Sequence, residues 1–177
     1  IAGANKNGEA NLRAGIEIRL QPGWKTYWRY SGDSGVPPRF DFSGSENLKS
    51  AKVLYPVPHL FADEAGQSLG YKDAVTFPLQ VSPKQAGIPV RLRLKLDYAV
   101  CEKLCIPAEA RVELILGMGD SAYDAVLTAA EARVPKPLSA ADIGLSVRRA
   151  NNGPKSLVFV DLAAADGHEP EHYVGKN

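Results

Sequence analysis

The chain has 177 residues, 45% hydrophobic and 23% charged, enough apolar material for the core of one domain, or of one domain plus part of another. Its 21 basic and 20 acidic side chains nearly cancel, which excludes the electrostatic footprint of a nucleic-acid binder or of a protein drawn to an anionic membrane, and points to another protein as partner. No apolar run approaches the roughly 20 residues of a spanning helix, so any membrane part is expected outside these residues, and the opening Ile1-Ala2-Gly3 in place of Met suggests a processed or excised N-terminus.

In chain order, the first two-thirds predicts short strands separated by Gly, Pro, Asn and Asp turns. Residues 11–20 alternate, with Leu12, Ile16, Ile18 and Leu20 apolar around Glu17 and Arg19, and Pro22-Gly23 ends the run. Residues 24–30 are aromatic-rich. Trp24, Tyr27, Trp28 and Tyr30 are expected to pack a sandwich core or its rim, with a flat recognition surface as the alternative. Ser31-Gly32-Asp33-Ser34-Gly35 followed by Pro37-Pro38 is too rich in Gly and Pro for a helix or a central strand and is expected to be a loop. Residues 39–42, 51–55, 74–81 and 90–100 are further strand candidates at the spacing of a sandwich or barrel.

The best-defined strand is Arg91-Leu92-Arg93-Leu94-Lys95-Leu96-Asp97-Tyr98, with leucines and Tyr98 on one face and charges on the other. Residues 111–116 alternate again, so residues 101–107 are expected to connect two neighbouring strands at a sheet end. A helix is predicted over 121–133, with Asp120 or Ser121 as N-cap and Pro135 and Pro137 as stops. Residues 143–149 and 156–162 predict a hairpin around Asn151-Asn152-Gly153-Pro154, too little for a second sandwich. The fold class is therefore mostly β, a sandwich with one short helix after it. Residues 1–136 form the main domain, and 137–177 the start of a second β module or an accessory hairpin.

The chain has two cysteines, Cys101 and Cys105. A bridge between them closes a very short loop, worth about 2 kcal/mol in the chain-entropy model against over 4 for a loop of about 100 residues. If residues 101–105 made one helical turn, their Cβ atoms would lie about 5–6 Å apart, near bridging range. Three readings stand open at this point: a redox couple, a structural disulfide, and part of a metal site. Zinc wants four ligands, and His59, His168 and His172 are distant in sequence. The i,i+4 pair His168 and His172 is flanked by Gly167 and broken by Pro170, and a lone Met118 gives a copper site little support. Around the cysteines, Asp97, Glu102 and Glu109 disfavour a thiolate while Lys103 and Arg111 favour one. There is no Cys-x-x-Cys at a helix N-terminus, so the pair is expected to exchange with a more reactive partner.

The stretch Asp97-Tyr98-Ala99-Val100-Cys101-Glu102-Lys103-Leu104-Cys105-Ile106-Pro107-Ala108-Glu109-Ala110 resembles the cysteine segment in the N-terminal periplasmic domain of the DsbD/ScsB family of thiol:disulfide interchange proteins. So, in the same order, do Gly23-Trp24-Lys25-Thr26-Tyr27-Trp28-Arg29, Gly32-Asp33-Ser34-Gly35, and Gly70-Tyr71-Lys72-Asp73 with Phe77-Pro78-Leu79. The resemblance covers about residues 10–135. It implies an immunoglobulin-like sandwich acting as a protein-disulfide reductase within a larger system. It also implies catalytic Cys101 and Cys105, with Cys105 contacting the partner and Cys101 resolving, and no cofactor or metal. The implied partners are thioredoxin-like periplasmic proteins and a transmembrane electron-donor domain. The implied setting is the periplasm of a Gram-negative bacterium, with any inner-membrane tether outside this chain. Two departures stand out. The cysteines are separated by three residues where the best-known members have five, closer to the ScsB-like branch. The stretch 62–69, which corresponds to an aromatic cap loop in those members, has no aromatic ring, leaving Phe61, His59 or Tyr71 as substitutes.

Overall fold

The computed structural model describes residues 1–3, 11–63, 66–117, 122–137, 146–152 and 155–161. The chain divides into two compact units, Ile1–Pro135 and Lys136–Asn177. In the first, nine strands run β1 (Leu12–Arg19), β2 (Lys25–Gly32), β3 (Arg39–Asp41), β4 (Leu48–Val53), β5 (His59–Asp63), β6 (Gly66–Lys72), β7 (Ala74–Pro83), β8 (Val90–Cys101) and β9 (Cys105–Leu116), followed by helix α1 (Asp124–Ala132). In the second, β10 (Ser146–Asn152) and β11 (Lys155–Asp161) form the predicted antiparallel hairpin, with pairing carried further toward the turn than expected, through Asn151 and Asn152; residues 143–145 and 162 and the turn residues Gly153 and Pro154 lie outside the described residues.

The nine strands build two sheets. One has three strands in the order β1-β7-β4. The other has six, in the order β3-β8-β2-β6-β5, with β9 along the remaining edge of β8. Between them lies an apolar interior that the alternation predicts: Ala14, Leu79 and Val81 from the first sheet meet Leu92 and Leu116 from the second, and Ile18, Val75 and Phe77 meet Leu94 and Leu96. Phe77 is fully buried and receives edge-on contacts from Phe40, Tyr55 and Tyr71 at centroid distances of 5.5, 5.5 and 5.3 Å, an arrangement aromatic rings prefer. Tyr98 packs at the margin of this core, on the leucine face of β8.

Helix α1 covers the outer face of β1. Arg13 is 8% exposed there and donates to Glu131 (2.9 and 2.6 Å), Thr128 (3.0 Å) and Asp124. The side chain of Leu127 fills the space over Gly15, where any Cβ would come within 2.5 Å of it. The helix is shorter than predicted. Tyr123 holds the N-cap position without a side-chain cap bond, and the expected caps Asp120 and Ser121 lie outside the described residues.

β5 is short and without alternation, and β6 carries Gly66, Ser68 and Gly70, so neither registers as a strand from its sequence. They pair with each other, and β6 pairs with β2, so backbone hydrogen bonding rather than propensity holds them. Within the stretch 62–69, the described residues 62–63 and 66–69 accordingly belong to β5 and β6.

Candidate active site

The cysteines close the β8–β9 hairpin. Its register runs unbroken from Val90↔Leu116 to Cys101↔Cys105, leaving only Glu102, Lys103 and Leu104 as the turn. The connection expected over 101–107 is therefore three residues long, because pairing with β8 carries Cys105, Ile106 and Pro107 into strand. The geometry is that of directly opposed strand residues rather than of a helical turn: the Cα atoms are 4.1 Å apart and the two sulfurs form a disulfide. The two ends of the bridge differ. Cys101 is 2% exposed, whereas Cys105 is exposed and is followed by Ile106 at 50%. Leu104, at the turn, is 79% exposed.

Alternation along β8 places Leu92, Leu94 and Leu96 inward, and Arg91, Arg93 and Lys95 outward. Ala99 and Cys101 belong by parity to the outward face, yet both are buried, together with Tyr27. The cover comes from β2, where Lys25 pairs with Cys101 and Thr26 with Val100, so that Lys25 and Tyr27 stand on the same outer face as Cys101. Tyr27 is 1% exposed. Its hydroxyl donates to Cys101 Sγ at 3.0 Å and lies 3.2 Å from Cys105 Sγ, where it is again the donor because a bridged sulfur carries no hydrogen. Thr26 Oγ1 donates to the Ala99 carbonyl at 2.9 Å, tying the two strands beside the bridge.

The aromatic cluster of β2 is thus split. Tyr27 covers the disulfide, Trp28 is half-buried against the core, and Tyr30 is 59% exposed. Tyr27 and Trp28 meet the expectation of packing a core or its rim, and Tyr30 does not. Sequence reasoning missed Tyr27 as a neighbour of the sulfurs; its signal was position, two residues along β2 from the partner of a cysteine, readable only once the β2–β8 register is known.

Of the substitute cap aromatics, Tyr71 points into the core and donates to the Pro56 carbonyl at 2.8 Å. Phe61 lies 5.5 Å from Lys25 Nζ, which also donates to Ser68 Oγ at 3.3 Å, and His59 packs edge-on against Phe61. The charges weighed from sequence fall into two groups. Lys95 bridges Asp97 (3.2 Å) and Glu109 (3.4 Å), and Arg111 holds Glu109 at 2.8 Å, so these four neutralise one another, with backbones about 13 to 20 Å along the strands from the bridge. The hydrogen bond from Arg111, then that from Lys95, holds the Glu109 carboxyl below its ordinary range. Glu102 and Lys103 remain in the turn itself. Among the described residues no group of three or more His, Cys, Asp or Glu side chains is placed to hold a metal ion, and no helix is long and apolar enough to cross a membrane. His168 and His172 lie outside the described residues.

Residues 4–117 match the family model of the N-terminal part of the thiol:disulfide interchange protein DsbD. The chain belongs to this DsbD family. Its N-terminal periplasmic domain in ScsB from Proteus mirabilis superposes with a TM-score of 0.70, covering 99% of this chain and 68% of that one at 23% identity. That likeness is one of fold and establishes the immunoglobulin-like β-sandwich. No curated protein matches the chain. Membership of the DsbD family, together with a bridged cysteine pair, makes thiol–disulfide exchange the chemistry of this domain.

Proposed function

We propose that this domain is a periplasmic relay that takes reducing equivalents from a transmembrane or thioredoxin-like donor and delivers them to oxidised periplasmic proteins, with Cys101 and Cys105 as the reacting pair of residues 1–136. The observation that carries the reading is the asymmetry of the bridge: Cys105 is exposed at the hairpin tip while Cys101 is buried beneath Tyr27. A donor thiolate can reach Cys105 Sγ, and its attack forms a mixed disulfide and expels Cys101 as a thiolate. The Tyr27 hydroxyl already points at that sulfur, and a hydrogen bond to an anion is stronger than one to a neutral bridge. The donor's second thiolate then attacks its own sulfur in the mixed disulfide and releases Cys105, so two electrons have passed to the domain. Delivery runs the same steps outward: Cys105 attacks the target's disulfide and frees one target thiol. Cys101 then attacks Cys105, frees the other, and restores the bridge.

The purely structural reading has less support, because Cys101 and Cys105 are already register partners at the end of twelve paired positions, where a further link constrains little. A metal- or copper-handling module would need ligands beyond these two sulfurs.

The test is trapping. Cys101→Ser is expected to accumulate a mixed disulfide through Cys105 with an oxidised thioredoxin-like protein, because Cys105 attacks that protein's disulfide, frees one of its thiols, and leaves no Cys101 to resolve the product, and Cys105→Ser far less. Equal trapping by both variants, or none by either, would overturn the assignment.

A further inference from the structure

Tyr27 is itself held from its far side. The loop 33–38 leaves β2 and returns over the ring, and the backbone at Gly35 (φ +106°) lies so close that a Cβ there would fall 2.2 Å from Tyr27 Cε1. Ser31 Oγ donates to the Gly35 carbonyl at 3.2 Å. The loop is pinned at its start by Asp33, whose N–H donates to the Gln67 carbonyl at 2.8 Å and whose carboxylate accepts the Gln67 N–H at 2.9 Å. This two-point clamp fastens the loop to β6. Gly66 makes room for it, since a Cβ there would lie 2.8 Å from Asp33 Oδ2.

We propose that Asp33 is a positioning residue for the redox pair: by clamping the loop to Gln67 it keeps Gly35 against the Tyr27 ring, and so keeps the Tyr27 hydroxyl on the sulfurs and Cys101 covered. Asp33 touches neither sulfur and acts through Gly35 and Tyr27. Loss of the carboxylate half of the clamp leaves only the backbone N–H of residue 33 on Gln67, which loosens the loop over the ring and the ring over the sulfurs. The bridge and the reduced pair both lose the Tyr27 hydrogen bond, but wherever Cys101 is a thiolate the reduced pair loses the stronger one, which favours the disulfide, and Cys101 becomes accessible.

The inference rests on the exchange reading above and is tested with the whole chain in glutathione buffers, where the bridge plus two glutathione molecules gives the dithiol plus oxidised glutathione. Asp33→Ala is expected to shift this equilibrium toward the bridge about fivefold, the equivalent of one hydrogen bond of ordinary strength. In a Cys105→Ser background it should also speed alkylation of Cys101 by iodoacetamide. Asp33→Asn, whose amide oxygen accepts the same bond from Gln67, should restore both. Tyr27→Phe should reproduce the equilibrium shift, and adding Asp33→Ala to it should move the equilibrium no further. An unchanged equilibrium in Asp33→Ala, an additive shift on Tyr27→Phe, or no rescue by Asp33→Asn would overturn the proposal. Asp33→Ser is measured in parallel, and unfolding of both truncations would also sink it, because a residue that acts only on the loop leaves the sandwich intact. Wild-type protein that fails to equilibrate with any thiol would instead overturn the exchange reading itself.

Discussion

The two halves of the β8–β9 hairpin share one register and differ in what covers their outer face. From Arg91 to Asp97 that face is a ladder of opposed charges open to water: Glu113 joins Arg91 and Arg93, Glu46 reaches both arginines, and Lys95 joins Asp97 and Glu109. From Ala99 to Cys101 the same face is dry, because Tyr27 and its loop lie on it. The burial pattern therefore changes phase near Tyr98 although the pairing does not slip. A strand's buried face is thus decided by what packs on it, and here a cover added at one end of an otherwise wet sheet face creates the site.

The comparison can be broken most forcefully at its dry end. Tyr27→Ala deletes a fully buried ring and is expected to cost about 3–5 kcal/mol in urea unfolding of the oxidised protein, with Cys101 becoming reactive after reduction. The wet end should be far more tolerant. Glu113→Gln removes the carboxylate shared by Arg91 and Arg93, yet these groups are well exposed, so the expected loss of stability in urea unfolding is much smaller than for Tyr27→Ala and shrinks further at high salt, with the thiol–disulfide equilibrium unchanged. The smallest effect belongs to acid. Hydrogen bonds from Arg93, then Arg91, hold the Glu113 carboxyl below its ordinary value of 4.5, as those from Arg111 and Lys95 do for Glu109. The unfolded chain therefore takes up these protons first as pH drops. The ladder's contribution is full above the ordinary value and lost as pH falls through the depressed ones. Melting temperature followed downward from pH 5 is expected to show this loss in the wild type and less of it in Glu113→Gln.

Much of the frame was legible in the residues. Strict alternation in Arg91-Leu92-Arg93-Leu94-Lys95-Leu96 named both faces of β8, and the same pattern located β1, β7 and the outer part of β9. What misled was the neighbourhood of the turn. Cys105-Ile106-Pro107 has no alternation to announce a strand, and pairing with β8 alone makes it one. The β5–β6 hairpin was invisible for the same reason, since Gly66, Ser68 and Gly70 have little propensity of their own and are small where β2 and its loop press close.

By itself the sequence determined that two closely spaced cysteines sit at the end of a sandwich strand, with the surrounding motifs of a thiol-exchange family, because period-two patterning and turn chemistry are local properties. Only the tertiary structure decided which sulfur is buried, that Tyr27 covers it from 74 residues away, and that Asp33 reaches Gln67 to hold that cover in place. Those relations depend on the register between strands distant in the chain and on which sheet face receives a cover, and no local pattern encodes either.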